Sequence, residues 1–254
     1  MAQHYVYRFY AELNGYKPKI WRRFEINGEK TMAELGYALM LMFEMQASHQ
    51  FCFRENTRDA FLADMRARYS EEELNSVLEK HGMVDLMKNS HYELASEDMY
   101  LGADERFFEA DKIKLNRITD RPGWHFTFEY DYGDGWEVDL TLEQCEKQEV
   151  SLSGLPSVLE GEGFGIIEDI GGVGGLEELA KTLKKGKGCE YKEFCDWLDT
   201  TTLDLSVFNI EDMNFRLKKL IRVYKEIYEY HYQPTDKSIA LLNREYKGKG
   251  VRGY

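Results

Sequence analysis

The stretch Tyr130-Asp131-Tyr132-Gly133-Asp134-Gly135-Trp136 constrains this chain more than any other. Upstream, Trp124, Phe126, Phe128 and Tyr130 share one face of an alternating run. Downstream, Trp136, Val138, Leu140 and Leu142 share a face, with Glu137, Asp139, Thr141 and Glu143 opposite. Period-two alternation rich in aromatic side chains is the pattern of strands with one face buried. Asp134-Gly135 lies between the runs, and glycine accepts the positive φ that a tight hairpin demands. Gly133 widens the turn or makes a bulge. The turn carries two carboxylates, Asp131 and Asp134, whose expected role is to accept hydrogen bonds from turn amides.

A second hairpin is predicted at the start of the chain. Tyr5, Tyr7, Phe9, Ala11 and Leu13 alternate with Val6, Arg8, Tyr10 and Glu12, and Asn14-Gly15 follows as a two-residue turn signal. Lys19 to Ile26 reads as the partner strand, with Ile20, Arg22, Phe24 and Ile26 on one face and Trp21, Arg23 and Glu25 on the other. Arg22 and Arg23 are expected to pair with nearby acids or to cover aromatic faces. Thr31-Met32-Ala33-Glu34 is a capping box, and Leu35, Leu39, Met42 and Phe43 continue at helical spacing. Ser48 to Phe53 reads as a return to strand. His49 near Cys52 lacks the second ligand pair of a recognised metal signature.

Between Arg54 and Ala103 charged residues dominate. Ser70 to Glu73 is another capping box ahead of Leu74, Val77 and Leu78, and His81-Gly82 reads as a helix stop. The segment is predicted to be a helical insertion, with His81 and His91 solvated. Further on, the glycine-rich run Gly161 to Gly175 contains Glu162, Glu168 and Asp169 and leads into a helix at Leu176. It lacks the Gly-Lys-Ser/Thr of a P-loop and is acidic, which argues against phosphate binding. Lys181, Lys184, Lys185 and Lys187 fall near a helix C-terminus, where cations offset the dipole. Asn209 caps a long helix bearing Met213, Leu217, Leu220, Ile221, Tyr224, Ile227 and Tyr228, which Pro234 ends. The tail from Lys247 has linker-like composition.

Composition narrows the function classes. No apolar run among the 254 residues is long enough to span a bilayer, and Met-Ala-Gln-His-Tyr has no signal-peptide pattern. Cys52, Cys145, Cys189 and Cys195 form no CxxC pair, so neither a zinc ribbon nor a disulfide framework is indicated. A cytoplasmic protein without a membrane partner is expected. The net charge of −13 disfavours broad contact with a nucleic-acid backbone.

Several segments, in order, carry a resemblance. A first hairpin holds Pro18, Ile20, Trp21, Arg22 and Arg23, and Ser48-His49 precedes a strand. The aromatic Asp-Gly hairpin runs from Tyr130 to Val138, and Val158 to Gly172 keeps Leu159, Gly161, Glu168, Asp169, Gly171 and Gly172. Together they resemble the plasmid pRiA ORF-three-like proteins, over about residues 5–53 and 111–225. A family Leu-His pair is Leu35-Gly36 here, a hairpin histidine is Val138, and two cysteines are Val158 and Gly165. The resemblance implies an α+β fold and an association with plasmids and mobile elements, with no activity to carry over. If relatives bind metal through those His and Cys positions, this chain keeps only Asp131, Asp134, Glu168, Asp169 and His49.

The expected fold is α+β, a mostly antiparallel sheet built on two hairpins with packed helices. Residues 1–53 and 104–232 are expected to form the main domain, 54–103 a helical insertion and 233–254 a C-terminal extension. Two functions are weighed. The first is a non-enzymatic interaction module with a protein partner and no cofactor or metal, whose carboxylates accept backbone amides and arginine donors. The second is a divalent-metal-dependent hydrolase acting on phosphodiesters. In it Asp131, Asp134, Glu168 and Asp169 supply oxygens, His49 is a base, and Arg22 or Arg23 holds phosphate. Carboxylates converging within about 5 Å of a common point would favour the metal.

Overall fold

The chain, seen in a computed structural model, is described over residues 3–55, 65–80, 89–95 and 105–244. Its elements are β1 (Gln3–Leu13), β2 (Trp21–Asn27), α1 (Met32–Met42), β3 (Phe51–Glu55), α2 (Glu71–Lys80), β4 (Asn89–Glu93) and β5 (Glu105–Glu109). There follow β6 (His125–Tyr130), β7 (Trp136–Glu149), β8 (Ser157–Glu162), α3 (Gly172–Lys185), α4 (Cys189–Trp197), α5 (Ile210–Tyr230) and α6 (Asp236–Leu242). The eight strands form one sheet in the order β5-β4-β3-β6-β7-β1-β2-β8. Every pairing is antiparallel except β4 with β5, so the fold is α+β as expected.

The central hairpin forms where the alternation places it. Phe126 faces Leu140, Phe128 faces Val138 and Tyr130 faces Trp136, and all six side chains are buried. Residues 131–135 make the turn, closed by the Gly135 N–H donating to the Asp131 carbonyl at 2.6 Å. Both Asp131 (φ 55°) and Gly135 (φ 67°) are left-handed, so the turn demands two such residues and spends only one glycine on them. The first hairpin also forms, but Asn14-Gly15 is not a two-residue turn. Leu13 N–H bonds Ile20 O across a longer connection at 2.9 Å, and Asn14 N–H donates to Glu137 O on β7 at 2.8 Å. A two-residue turn would have paired Leu13 with Tyr16, but the Leu13 N–H goes to Ile20 instead.

Helix α1 carries the capping box read from Thr31 and Glu34. It is buried on nearly every side, beyond the single stripe predicted, because β3 lies on one flank and α5 on another. Gly36 permits this approach: a Cβ there would fall 2.6 Å from the Phe51 ring. A histidine at that position would collide with the ring unless Phe51 moved.

The 54–103 stretch holds more than helix. Helix α2 forms behind the Ser70–Glu73 capping box, with Leu74 buried. The same stretch also supplies β4, inserted between β3 and β5. Its five residues, Asn-Ser-His-Tyr-Glu, show no apolar alternation because polar side chains are buried along it. His91 is therefore not solvated: it is 5% exposed, with Nε2 2.9 Å from Glu93 Oε2. His81, Gly82 and the tail from Lys247 lie outside the described residues.

The edge strand β8 is covered. Asn214 on α5 accepts from Val158 N–H at 2.7 Å and donates to Val158 O at 2.9 Å, occupying groups an incoming strand would need. At the C-terminal end, Arg244 bonds Glu44 and Asp212, and Arg216 also reaches Glu44 at 2.9 Å. The described part of the C-terminal extension is thus tied to the connection that follows α1.

Candidate metal centre

Three connections meet at the Asp131 end of the central hairpin. The first, residues 43–50, turns back through two left-handed non-glycine residues, Glu44 (φ 63°) and Ala47 (φ 60°), and presents His49. The second is the hairpin turn itself. The third, residues 163–171, leads into α3 and carries Glu168 and Asp169. Backbone hydrogen bonds join them: Ile166 N–H to Phe43 O at 2.9 Å and Asp131 N–H to Gln50 O at 3.0 Å.

His49 is the centre of the arrangement. Its Nε2 lies 3.5 Å from Asp131 Oδ2, 3.5 Å from Glu168 Oε2 and 3.7 Å from Asp169 Oδ1. One ligand-type atom from each of His49, Asp131 and Glu168 fits within 4.8 Å of the other two. Asp131 and Glu168 are largely buried, His49 is partly exposed, and Asp169 is open to solvent.

Each buried carboxylate divides its oxygens between two tasks. Asp131 Oδ1 accepts from the Gly133 N–H at 3.0 Å and the Asp134 N–H at 3.4 Å, while Oδ2 faces His49. Glu168 Oε1 accepts from the Gln46 N–H at 2.6 Å and the Tyr130 hydroxyl at 2.8 Å. Glu168 Oε2 is buried without a hydrogen-bond partner and faces His49. Burial and the adjacent Glu168 carboxylate push the Tyr130 hydroxyl well above its usual range, so it stays protonated and donates. Held by one oxygen and aimed by the other is how supported metal-ligating carboxylates are built.

The remaining predicted residues have other places. Asp134 does not join the cluster: its Oδ2 accepts the Gly171 N–H at 3.1 Å, pinning the third connection to the turn. Gly172, at φ 69°, lies so close that a Cβ would sit 2.4 Å from Asp134 O. Arg22 is fully buried and donates to the carbonyls of Trp21, Met42, Glu162, Gly163 and Phe164, with its guanidinium 3.6 Å over the Phe208 ring. It braces the first and third connections from behind. Arg23, on the opposite face, pairs with Glu143 and Glu160. Among the described residues no lysine or arginine forms a salt bridge with Asp131, Glu168 or Asp169, so the arginine donors expected for these acids are replaced by amides and a tyrosine. Sequence reading missed Gln46 and Tyr130 as supports. Tyr130 was visible only as the last inward residue of its strand.

The sequence model of a family described as plasmid pRiA4b ORF-3-like protein matches residues 5–216. An uncharacterized protein of Sinorhizobium fredii, y4hQ, is 29% identical over 133 residues, which is 50% of this chain and 68% of that one. The crystal structure of a protein of unknown function from Methanosarcina mazei Go1, MM3350, aligns with a TM-score of 0.62 at 20% identity. The alignment covers 83% of this chain and 98% of that chain, and at such identity the likeness is one of fold.

Proposed function

The chain belongs to the plasmid pRiA4b ORF-3-like family, whose matched relatives bring no activity with them, and from its own geometry we propose that it binds a divalent cation at His49, Asp131 and Glu168. The observation that carries this is the division of labour within the carboxylates. Asp131 and Glu168 each have one oxygen anchored, and the other turned to a common point with the imidazole. Without a cation, three carboxylates around one imidazole repel one another, and Glu168 Oε2 has no hydrogen-bond donor. A cation answers both.

The donor set favours a first-row transition dication such as Zn²⁺, Fe²⁺ or Mn²⁺. Imidazole suits Zn²⁺ and Fe²⁺, the carboxylates also suit Mn²⁺, and Mg²⁺ and Ca²⁺ take oxygen ligands. Three protein ligands leave room for water on the metal, and bound water of lowered pKa is the nucleophile of metal-assisted hydrolysis. Asp169, exposed beside His49 and outside the three-residue set, would be placed to take a proton from such a water. A phosphodiester substrate has no support here, since Arg22 is bound to backbone carbonyls and Arg23 to Glu143 and Glu160.

Calorimetry of chelator-treated protein with zinc, manganese, magnesium and calcium salts tests the proposal. One-to-one binding of zinc or manganese, weakened at least tenfold by Glu168→Gln and by Asp131→Asn with the fold intact by circular dichroism, is expected. No binding, or binding indifferent to both substitutions, would overturn it and restore the interaction module as the better account.

A further inference from the structure

A second site lies away from the cation cluster. Helix α5 stands off from the connection between β7 and β8, leaving a groove of about 430 Å³. That is within the range of small-molecule sites, roughly 300–1,000 Å³. Its apolar lining comes from Ile26 at the end of β2, Leu155 and Pro156 on the connection, and Leu217 and Ile221 on α5. Leu217 and Ile221 are one turn apart on the helix, Leu217 buried beneath the groove floor and Ile221 partly exposed in it.

The charge around this lining runs against the chain as a whole. Lys30, Lys218, Arg222 and Lys225 border the groove, and Glu34 is the one acid that does so among the described residues. The protein carries a net charge of −13, whereas the groove's four cations meet three paired acids, which leaves one net positive charge at Lys218. Three of the cations have acidic neighbours: Lys30 with Glu34, Arg222 with Glu226 and Lys225 with Glu229. Glu226 and Glu229 do not line the groove. Lys218 forms no salt bridge among the described residues and is exposed at the rim.

We propose that this groove binds a small amphiphilic anion, a carboxylate or phosphate monoester with an aliphatic body. The aliphatic part lies along the partly exposed Leu155 and Ile221, with buried Ile26 and Leu217 behind them, and the head group meets Lys218 and Arg222. An uncharged apolar ligand would leave the cation border unused. A fully hydrophilic anion would leave the apolar lining in water.

Decanoate is the probe, with decanol, inorganic phosphate and anionic phospholipid vesicles as comparisons, each titrated into the full chain by calorimetry below the micellar range. The expected result is saturable one-to-one binding of decanoate, at least tenfold tighter than phosphate or decanol. The double variant Lys218→Glu/Arg222→Glu should lose at least tenfold in affinity. Both positions are exposed, so an unchanged thermal midpoint separates loss of the site from loss of the fold. Equal binding of decanol and decanoate would overturn the proposal, as would indifference to the double variant. Binding to vesicles without binding of monomeric decanoate would overturn it in favour of a lipid surface. Zinc affinity should be unaltered in the same variant, because the two sites share no residue.

Discussion

Replacing Arg22 with methionine keeps an unbranched stem of similar reach and removes every donor. The guanidinium makes five hydrogen bonds, to Met42 O at 2.9 Å, Trp21 O at 2.8 Å, Glu162 O at 2.6 Å, Gly163 O at 2.8 Å and Phe164 O at 2.8 Å. The bonds to Met42 and Gly163 are buried, and a buried acceptor left unpaired costs roughly 1–3 kcal/mol. The other three are part-buried, where water can enter and reduce the loss. Removing the charge also removes the cost of burying it, which offsets part of the total. The expected net destabilisation is about 2–5 kcal/mol, read as a shift of the urea midpoint at constant slope. A chain of this size moves about 2–4 °C per kcal/mol, so thermal melting should fall by roughly 5–15 °C. Arg22→Lys should lie between, since three donors on a flexible stem cannot serve five carbonyls. Because the braced carbonyls flank the connections carrying His49 and Glu168, folded Arg22→Lys should also bind zinc more weakly. A midpoint for Arg22→Met within about 0.5 kcal/mol of the parent, the spread of neutral surface changes, would refute the bracing role.

Three further outcomes are expected. Trp136→Ala should cost about 3–5 kcal/mol in denaturant titration, because the ring is fully buried opposite Tyr130. Gly172→Ala should leave the fold intact while weakening zinc binding in calorimetry, since its Cβ would press on Asp134 O and part the third connection from the hairpin turn. Glu44 sets an acid limit: burial alone would raise its carboxyl, but Arg216 and Arg244 outweigh burial and hold it below the usual carboxylate range. A lowered folded-state pKa means stability that is fully present above the ordinary value, about 4.3, and is lost as pH falls through the folded one. Glu44→Gln should flatten that part of the stability–pH curve, measured by urea titration from pH 6 downward.

What the sequence determined by itself is local. The central hairpin could be read because its alternation and its glycine act within about ten residues, and period-two burial depends only on strand geometry. The capping boxes at Thr31 and Ser70 and the Asn209 cap were readable for the same reason: donor and acceptor lie three residues apart. Tertiary structure decided whatever rests on partners distant in the chain. Asn14-Gly15 does not close a tight turn: Leu13 pairs with Ile20 and not Tyr16, and Asn14 joins the ladder to β7, some 120 residues on. The five polar-rich residues of β4 become a strand only because β3 and β5 flank them. On sequence alone Arg22 is expected to pair with acids or cover aromatic faces, and its distant carbonyl partners come from two segments, Met42 and residues 162–164. His49, Asp131 and Glu168 were each visible as candidates. Nothing in their spacing says that they converge, nor that Asp134 and the arginines stay apart from them. That convergence rests on backbone bonds between three connections, formed only once the sheet has placed them side by side.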